Sequence, residues 1–187
     1  MNIMRPGFGI KAESWYRESI ASMPSVLDER DQRSAATFTY LLQIMEENGN
    51  DIDEMKLIYG KAAGLLPKEA DFDYLIGTYL AADRDYAEGV LYLERALDKL
   101  QRYGSNNRAM LIGSHLRETY ENLALCCRKT GKDERAVSLC IAVLKSAPYS
   151  MEALYLLLEA FRGNGFRPSV APEKAMGILD SSTVLIR

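Results

Sequence analysis

Residues 117–150 read RETYENLALCCRKTGKDERAVSLCIAVLKSAPYS, and the spacing of small and large apolar residues in this run decides the fold. Tyr120, Leu123, Ala124 and Cys127 share one face of a first helix, Gly131 interrupts it, Ala136, Cys140 and Val143 stripe a second, and Pro148 closes the unit. Ala124 and Ala136 are small enough to let two helices approach closely, with Tyr120, Leu123 and Cys127 filling the groove beside them. Thirty-four residues on, Leu154, Leu157, Leu158 and Phe161 restart the same face, so the run is one period of a repeat.

The period also extends backwards. In DFDYLIGTYLAADRDYAEGVLYLERAL, Asp73, Ile76, Gly77 and Leu80 form an equivalent first helix, and Gly89, Leu93 and Ala96 the second. Gly77 and Ala124 stand 47 positions apart, 13 more than 34, and that insertion falls around Gly104-Ser105-Asn106-Asn107, where a loop belongs. A degenerate unit opens at Leu42, with Met55, Tyr59 and Ala62 on its second helix and Pro67 in the place that Pro148 holds later. Its first helix has Gln43 where the other units have a small residue.

These residues resemble the tetratricopeptide repeat family, whose pattern runs W-x2-L-G-x2-Y, then A-x3-F and a closing proline. The resemblance covers roughly residues 36–180. It implies an all-α fold: a TPR-like right-handed superhelix of antiparallel helix pairs, with a concave groove lined by the first helices. The implied organisation is an N-terminal helical region over 1–35, a cap, followed by repeats over 36–187 in units near 36–69, 70–103, 117–150 and 151–182. A narrower resemblance joins DFDYLIGTYL, HLRETYENLALCCRKTGK and ALYLLLEAFRGNG to the helical tail of some bacterial family-two glycosyltransferases. There the tail follows a nucleotide-sugar domain and serves association or acceptor binding. The ending SSTVLIR, with no polar capping helix, fits a tail fragment or a stand-alone relative.

Composition narrows the function classes. With 23 basic against 26 acidic residues the net charge is −3, and Lys and Arg do not cluster as a phosphate-binding surface requires, so no nucleic-acid partner is expected. The opening stretch MNIMRPGFGIKAESWYRESIASMPSVLDER lacks the apolar run of a secretory signal, and no apolar stretch anywhere is long enough for a membrane span. A cytoplasmic chain with no membrane partner is therefore predicted. Cys126, Cys127 and Cys140 read as small core residues in a reducing compartment. The single histidine, His115, has no partner at helical spacing, and the cysteines lack two-residue spacing, so neither a metal nor a cofactor is expected.

Asp-x-Asp occurs three times, as Asp51-Ile52-Asp53, Asp71-Phe72-Asp73 and Asp83-Arg84-Asp85. Such a pair can chelate the divalent ion of a nucleotide sugar. Each pair here lies at a helix start or turn, where carboxylates cap free N–H groups and meet the positive end of the helix dipole. The chain has no phosphate-cradling glycine loop, no G-x-S-x-G and no strand-helix alternation. No catalytic residue is therefore assigned.

Helices are predicted over 11–22, 26–47, 52–66, 70–82, 86–102, 107–130, 133–146, 151–163 and 172–181, nine in all. First-helix residues off the apolar stripe face the groove: Thr37, Tyr40 and Ile44, then Tyr74, Thr78 and Ala81, then Glu121, Leu125 and Arg128, then Tyr155, Glu159 and Arg162. Tyrosine recurs in three of four equivalent places, and its flat apolar ring with a hydroxyl suits peptide or sugar contact at low entropic cost. Repeat proteins of similar fold that capture C-terminal carboxylates use Lys and Asn at the places of Tyr40, Tyr74 and Thr78, a pattern this chain departs from. The expected function is a non-catalytic interaction module for a protein or peptide segment. The alternatives are an accessory region of a bacterial glycosyltransferase and a secretion-type chaperone. A homodimer through the terminal helices is also expected, because Val184, Leu185 and Ile186 at one end, and Trp15 and Tyr16 at the other, offer apolar surface.

Overall fold

The computed structural model describes residues 8–27, 32–103 and 116–162, the side chains of residues 8–10, 32 and 162 excepted. Among the described residues it is all-helical: α1 (Phe8–Ala21), α2 (Gln32–Asn48), α3 (Ile52–Leu65), α4 (Asp71–Ala82), α5 (Tyr86–Tyr103), α6 (Leu116–Lys129), α7 (Asp133–Ser146) and α8 (Met151–Arg162). The chain divides into two compact units, Met1–His115 with α1 to α5 and Leu116–Arg187 with α6 to α8.

In the first unit α4 and α5 form the tightest pair, and Gly77 is the reason they can. A Cβ on Gly77 would stand 2.7 Å from Leu93 Cγ and 3.1 Å from the Leu93 backbone nitrogen, so any larger residue would hold α5 off. Helix α2 packs on α3 and α4, and α3 on α4. Phe38 and Phe72, one repeat period apart in the sequence, meet edge-to-face with ring centroids 6.0 Å apart. Around them Leu41, Leu42, Met45, Met55, Ala62, Leu66 and Ile76 complete a core of residues at most 1% exposed. Each large side chain removed from water there contributes about 1.5–3 kcal/mol before entropy is counted.

Helix α1 packs on α2 and is fastened by polar contacts at its sides. Arg17 donates to Glu13 Oε1 at 2.8 Å and to Glu54 Oε1 on α3 at 2.7 Å. The Lys61 ammonium of α3 donates to the Ile20 carbonyl at 2.9 Å. Glu13 also accepts from Asn48 at 2.7 Å and from Asn50 at 3.3 Å. Burial pushes the Glu13 carboxyl up, but the bonds from Arg17, Asn48 and Asn50 together outweigh it and hold the group below the usual range.

In the second unit α6 turns into α7 through Gly131, whose φ of 75° is left-handed. The Lys132 N–H reaches back to the Cys127 carbonyl at 2.8 Å, closing the helix end as a Schellman motif with glycine at the αL position. Ala124, Cys126 and Cys127 are fully buried, and Ala136 and Cys140 are 1% exposed, as the small-residue stripe predicts. Helix α8 packs on both α6 and α7.

Two sequence expectations change. The pattern predicts the second helix from residue 26, but it begins at Gln32; Val26 is 82% exposed, and the stripe that the core holds starts only at Ala35 and Phe38. On α8 the buried face is Ala153, Leu156, Leu157 and Ala160 rather than Leu154, Leu157, Leu158 and Phe161, with Leu158 54% exposed. The arc that meets α6 and α7 keeps the period, since Thr119, Leu123 and Cys126 lie one repeat before Ala153, Leu157 and Ala160 and are likewise buried. Eight helices are seen among the described residues against nine expected. The expected helix 172–181, residues 107–115 of the expected sixth helix with His115, the 104–107 loop and Val184–Ile186 lie outside the described residues.

Candidate binding surface

The residues expected to line the groove separate into those engaged within their own unit and those open to solvent. In the first unit, Thr37 is half-buried and donates back to the Arg33 carbonyl at 2.8 Å. Tyr40 is 40% exposed and lies beside Tyr16 of α1, ring centroids 6.0 Å apart, so α1 shares the surface that Tyr40 forms. Ile44, Tyr74 and Thr78 are half-buried, and Ala81 is buried.

In the second unit Glu121 and Arg128 act as struts. The Ser150 hydroxyl donates to Glu121 Oε1 at 2.5 Å while its oxygen accepts the Ala153 N–H at 3.2 Å, so one serine caps α8 and ties it to α6. Arg128 donates to Asp133 Oδ1 at the start of α7 at 3.0 Å and to the Glu159 carbonyl of α8 at 3.4 Å. Its buried Nε has no hydrogen-bond partner among the described residues. Leu125 and Glu159 are half-buried and Tyr155 is 61% exposed. The side chain of Arg162 lies outside the described residues. Sequence reading takes Asp133, after Gly131, as a helix start but not as a partner of Arg128, and it misses Ser150, although a serine immediately before an apolar helical run is a readable N-cap signal.

The Asp-x-Asp pairs divide in the same way. Asp51 caps α3 by accepting the Asp53 N–H at 3.3 Å, and Asp85 accepts the Glu88 N–H of α5 at 3.1 Å. Asp71 and Asp73 are not caps: Ala70 holds the N-cap position of α4, and the two carboxylates are 1% and 0% exposed. Asp73 accepts from the Tyr59 hydroxyl at 2.8 Å and from the Lys99 ammonium at 2.5 Å, and Lys99 also donates to the Glu69 carbonyl at 3.1 Å. The partners of Asp73 come from α3 and α5, so this carboxylate joins three helices instead of ending one.

Burial pushes the Cys126 thiol up to about 12, with Cys127 adding to it, and the Cys140 thiol up to about 12, with the Glu121 carboxylate adding to it. Tyr59 is pushed up to about 12 by burial and then by its bond to Asp73. These groups are therefore poor nucleophiles and bases in the folded chain. Among the described residues no group of three His, Cys, Asp or Glu could hold a metal ion, and no helix is long and apolar enough to cross a membrane. Compared with known proteins, the chain matches no family model and no curated relative.

Proposed function

We propose that this chain is a non-catalytic, TPR-like interaction module of the cytoplasm that holds a peptide or protein segment along the face of its first helices. The observation that carries the reading is that Tyr155, the residue expected at the groove on α8, is 61% exposed, with half-buried Glu159 one turn further along the helix. Glu121 and Arg128 are meanwhile pinned by Ser150, Asp133 and the Glu159 carbonyl. An open aromatic ring is what an extended or helical peptide anchors on, because the ring contributes large contact area with only two torsions to freeze. The repeat arrangement is supported by Phe38 packing on Phe72 one period later and by the matched burial of Thr119, Leu123 and Cys126 with Ala153, Leu157 and Ala160.

The test is selection of a displayed random-peptide library against the whole chain. Enriched peptides should bind with a shared anchor residue and lose about 2 kcal/mol, roughly thirtyfold, on Tyr155→Ala, as a central aromatic hot spot does. Peptides that bind Tyr155→Ala and Glu159→Lys chains as well as the parent would refute the site.

A further inference from the structure

The turn that ends α2 carries a reactive pair. Asn48 and Gly49 follow one another there, both exposed, with Gly49 at φ 71°. In an Asn-Gly step the glycine nitrogen can attack the asparagine side-chain amide, because no Cβ hinders its approach. The space around Gly49 is open, since a Cβ there would meet nothing within 4 Å. What opposes the attack is the way the pair is held. The Asn48 amide donates to Glu13 Oε2 of α1 at 2.7 Å, and the Gly49 N–H donates to the Glu46 carbonyl at 3.0 Å. The first bond keeps the side-chain amide on α1, and the second ties the attacking nitrogen to the last turn of α2.

The same place is badly suited to a new negative charge. Glu13 also accepts from Arg17 and Asn50, and Arg17 is shared with Glu54 of α3. Glu46 and Glu47 immediately precede Asn48 on α2. A carboxylate at position 48 would face Glu13 with no donor between them, at the negative end of the α2 dipole. We propose that Asn48-Gly49 is a self-modification site that Glu13 keeps closed, and that its conversion to a carboxylate frees α1 from α2. The Gly49 nitrogen gives its proton to water and bonds to Asn48 Cγ, and the side-chain nitrogen leaves as ammonia. Water then opens the cyclic imide to aspartate or isoaspartate, so the net exchange is amide and water for acid and ammonia. Tyr16 leaves the Tyr40 ring together with α1, which changes the surface that Tyr40 forms.

Ageing the full chain at neutral pH and following residue 48 by peptide mass mapping tests the closure, with the peptide that carries Asn164-Gly165 scored separately. Residue 48 should convert far more slowly in the folded chain than in the chain unfolded by urea. Glu13→Ala should raise the folded rate about tenfold, as the loss of a hydrogen bond to a charged group implies, and leave the unfolded rate unchanged. Asn48→Asp, which reproduces the aspartate product, should speed amide exchange in α1 while α4 and α5 stay protected. The proposal falls if folded and unfolded parent chains convert alike, or if Glu13→Ala leaves the folded rate as it was. It falls equally if α1 keeps its protection in Asn48→Asp. Exchange that rises throughout α1 to α5 would also overturn it, since the charge would then unfold the unit instead of freeing one helix.

Discussion

Gly77 and the glycines of α3 show how little a residue's identity says until its neighbours are known. A methyl group at Gly77 collides with Leu93, whereas one at Gly60 or Gly64 meets nothing within 4 Å. Gly77→Ala is expected to destabilise the chain by about 1–3 kcal/mol through overpacking. Gly60→Ala and Gly64→Ala should each stabilise it by about 0.4–1 kcal/mol by restricting the unfolded chain in a helix-compatible site. Urea melts of the three variants check both signs. The carboxylate of Asp73 is the other residue whose role is set from a distance. Asp73→Asn removes the charge facing Lys99, whose side chain is 17% exposed. The expected loss is about 3 kcal/mol, the lower end for a broken buried pair, since the Glu69 carbonyl still accepts from the ammonium. Adding Lys99→Gln should recover part of it, and a double-mutant cycle with no coupling would show that the two groups are not acting as a pair.

Helix ends show which local rules can be read directly. Three helices, α2, α4 and α6, end with a residue in the left-handed region: Gly49 at φ 71°, Arg84 at φ 69° and Gly131 at φ 75°. In each the next N–H bonds five residues back, Asn50 to Met45, Asp85 to Leu80 and Lys132 to Cys127, at 2.9, 2.9 and 2.8 Å. Arg84 does with a side chain what glycine does without one, at a cost of about 1–2 kcal/mol for an L-residue in that conformation. Arg84→Gly should thus stabilise the chain and Gly131→Ala destabilise it, each by about 1 kcal/mol, read as a raised and a lowered thermal midpoint. The two glycine ends are legible in the sequence because glycine is the usual αL residue, and Arg84 is not because nothing in an arginine announces it. The helix pairing is legible for the same local reason: small residues at Gly77, Ala124 and Ala136 mark close approach. Asp71 and Asp73 read as caps in the sequence because the partners of Asp73 are 14 and 26 positions away, beyond any local pattern. The period can name Glu121 and Arg128 as groove residues but not the bonds that engage them. Those bonds depend on where α8 starts and on the turn at Gly131.

At the scale of the whole molecule, the titrating groups with resolved shifts set opposite limits on the two units. On the acid side the first unit depends on Glu13, whose folded carboxyl lies below its ordinary 4.5; its contribution is present above that value and lost as pH falls through the folded one. Glu46, raised by burial and then by Glu47, works in the other sense and favours the folded state as the medium becomes more acidic. Glu13→Gln should therefore flatten the acid limb of stability, measured by urea unfolding from neutral pH down past the ordinary carboxyl value. On the alkaline side the second unit is the more exposed to change. Cys126 and Cys140 are both pushed from an ordinary 9.0 to about 12, so above pH 9 the unfolded chain releases protons that the folded chain retains. Stability must then fall with rising pH, since it falls wherever the folded state binds more protons. In the first unit Tyr59 acts in the same direction, but only from its ordinary value of 10.0 upward. Between pH 9 and 10 the second unit should accordingly lose stability before the first. The expected readout is alkylation of Cys126, Cys127 and Cys140 together, in one opening step, while amide exchange in α3 to α5 remains slow. Replacing Cys126 or Cys140 by Ala opens a small cavity and shifts the whole curve, so the diagnostic quantity is the slope of stability against pH. That slope should be shallower in each variant than in the parent, and an unchanged slope in both would mean that neither thiol controls the alkaline limit.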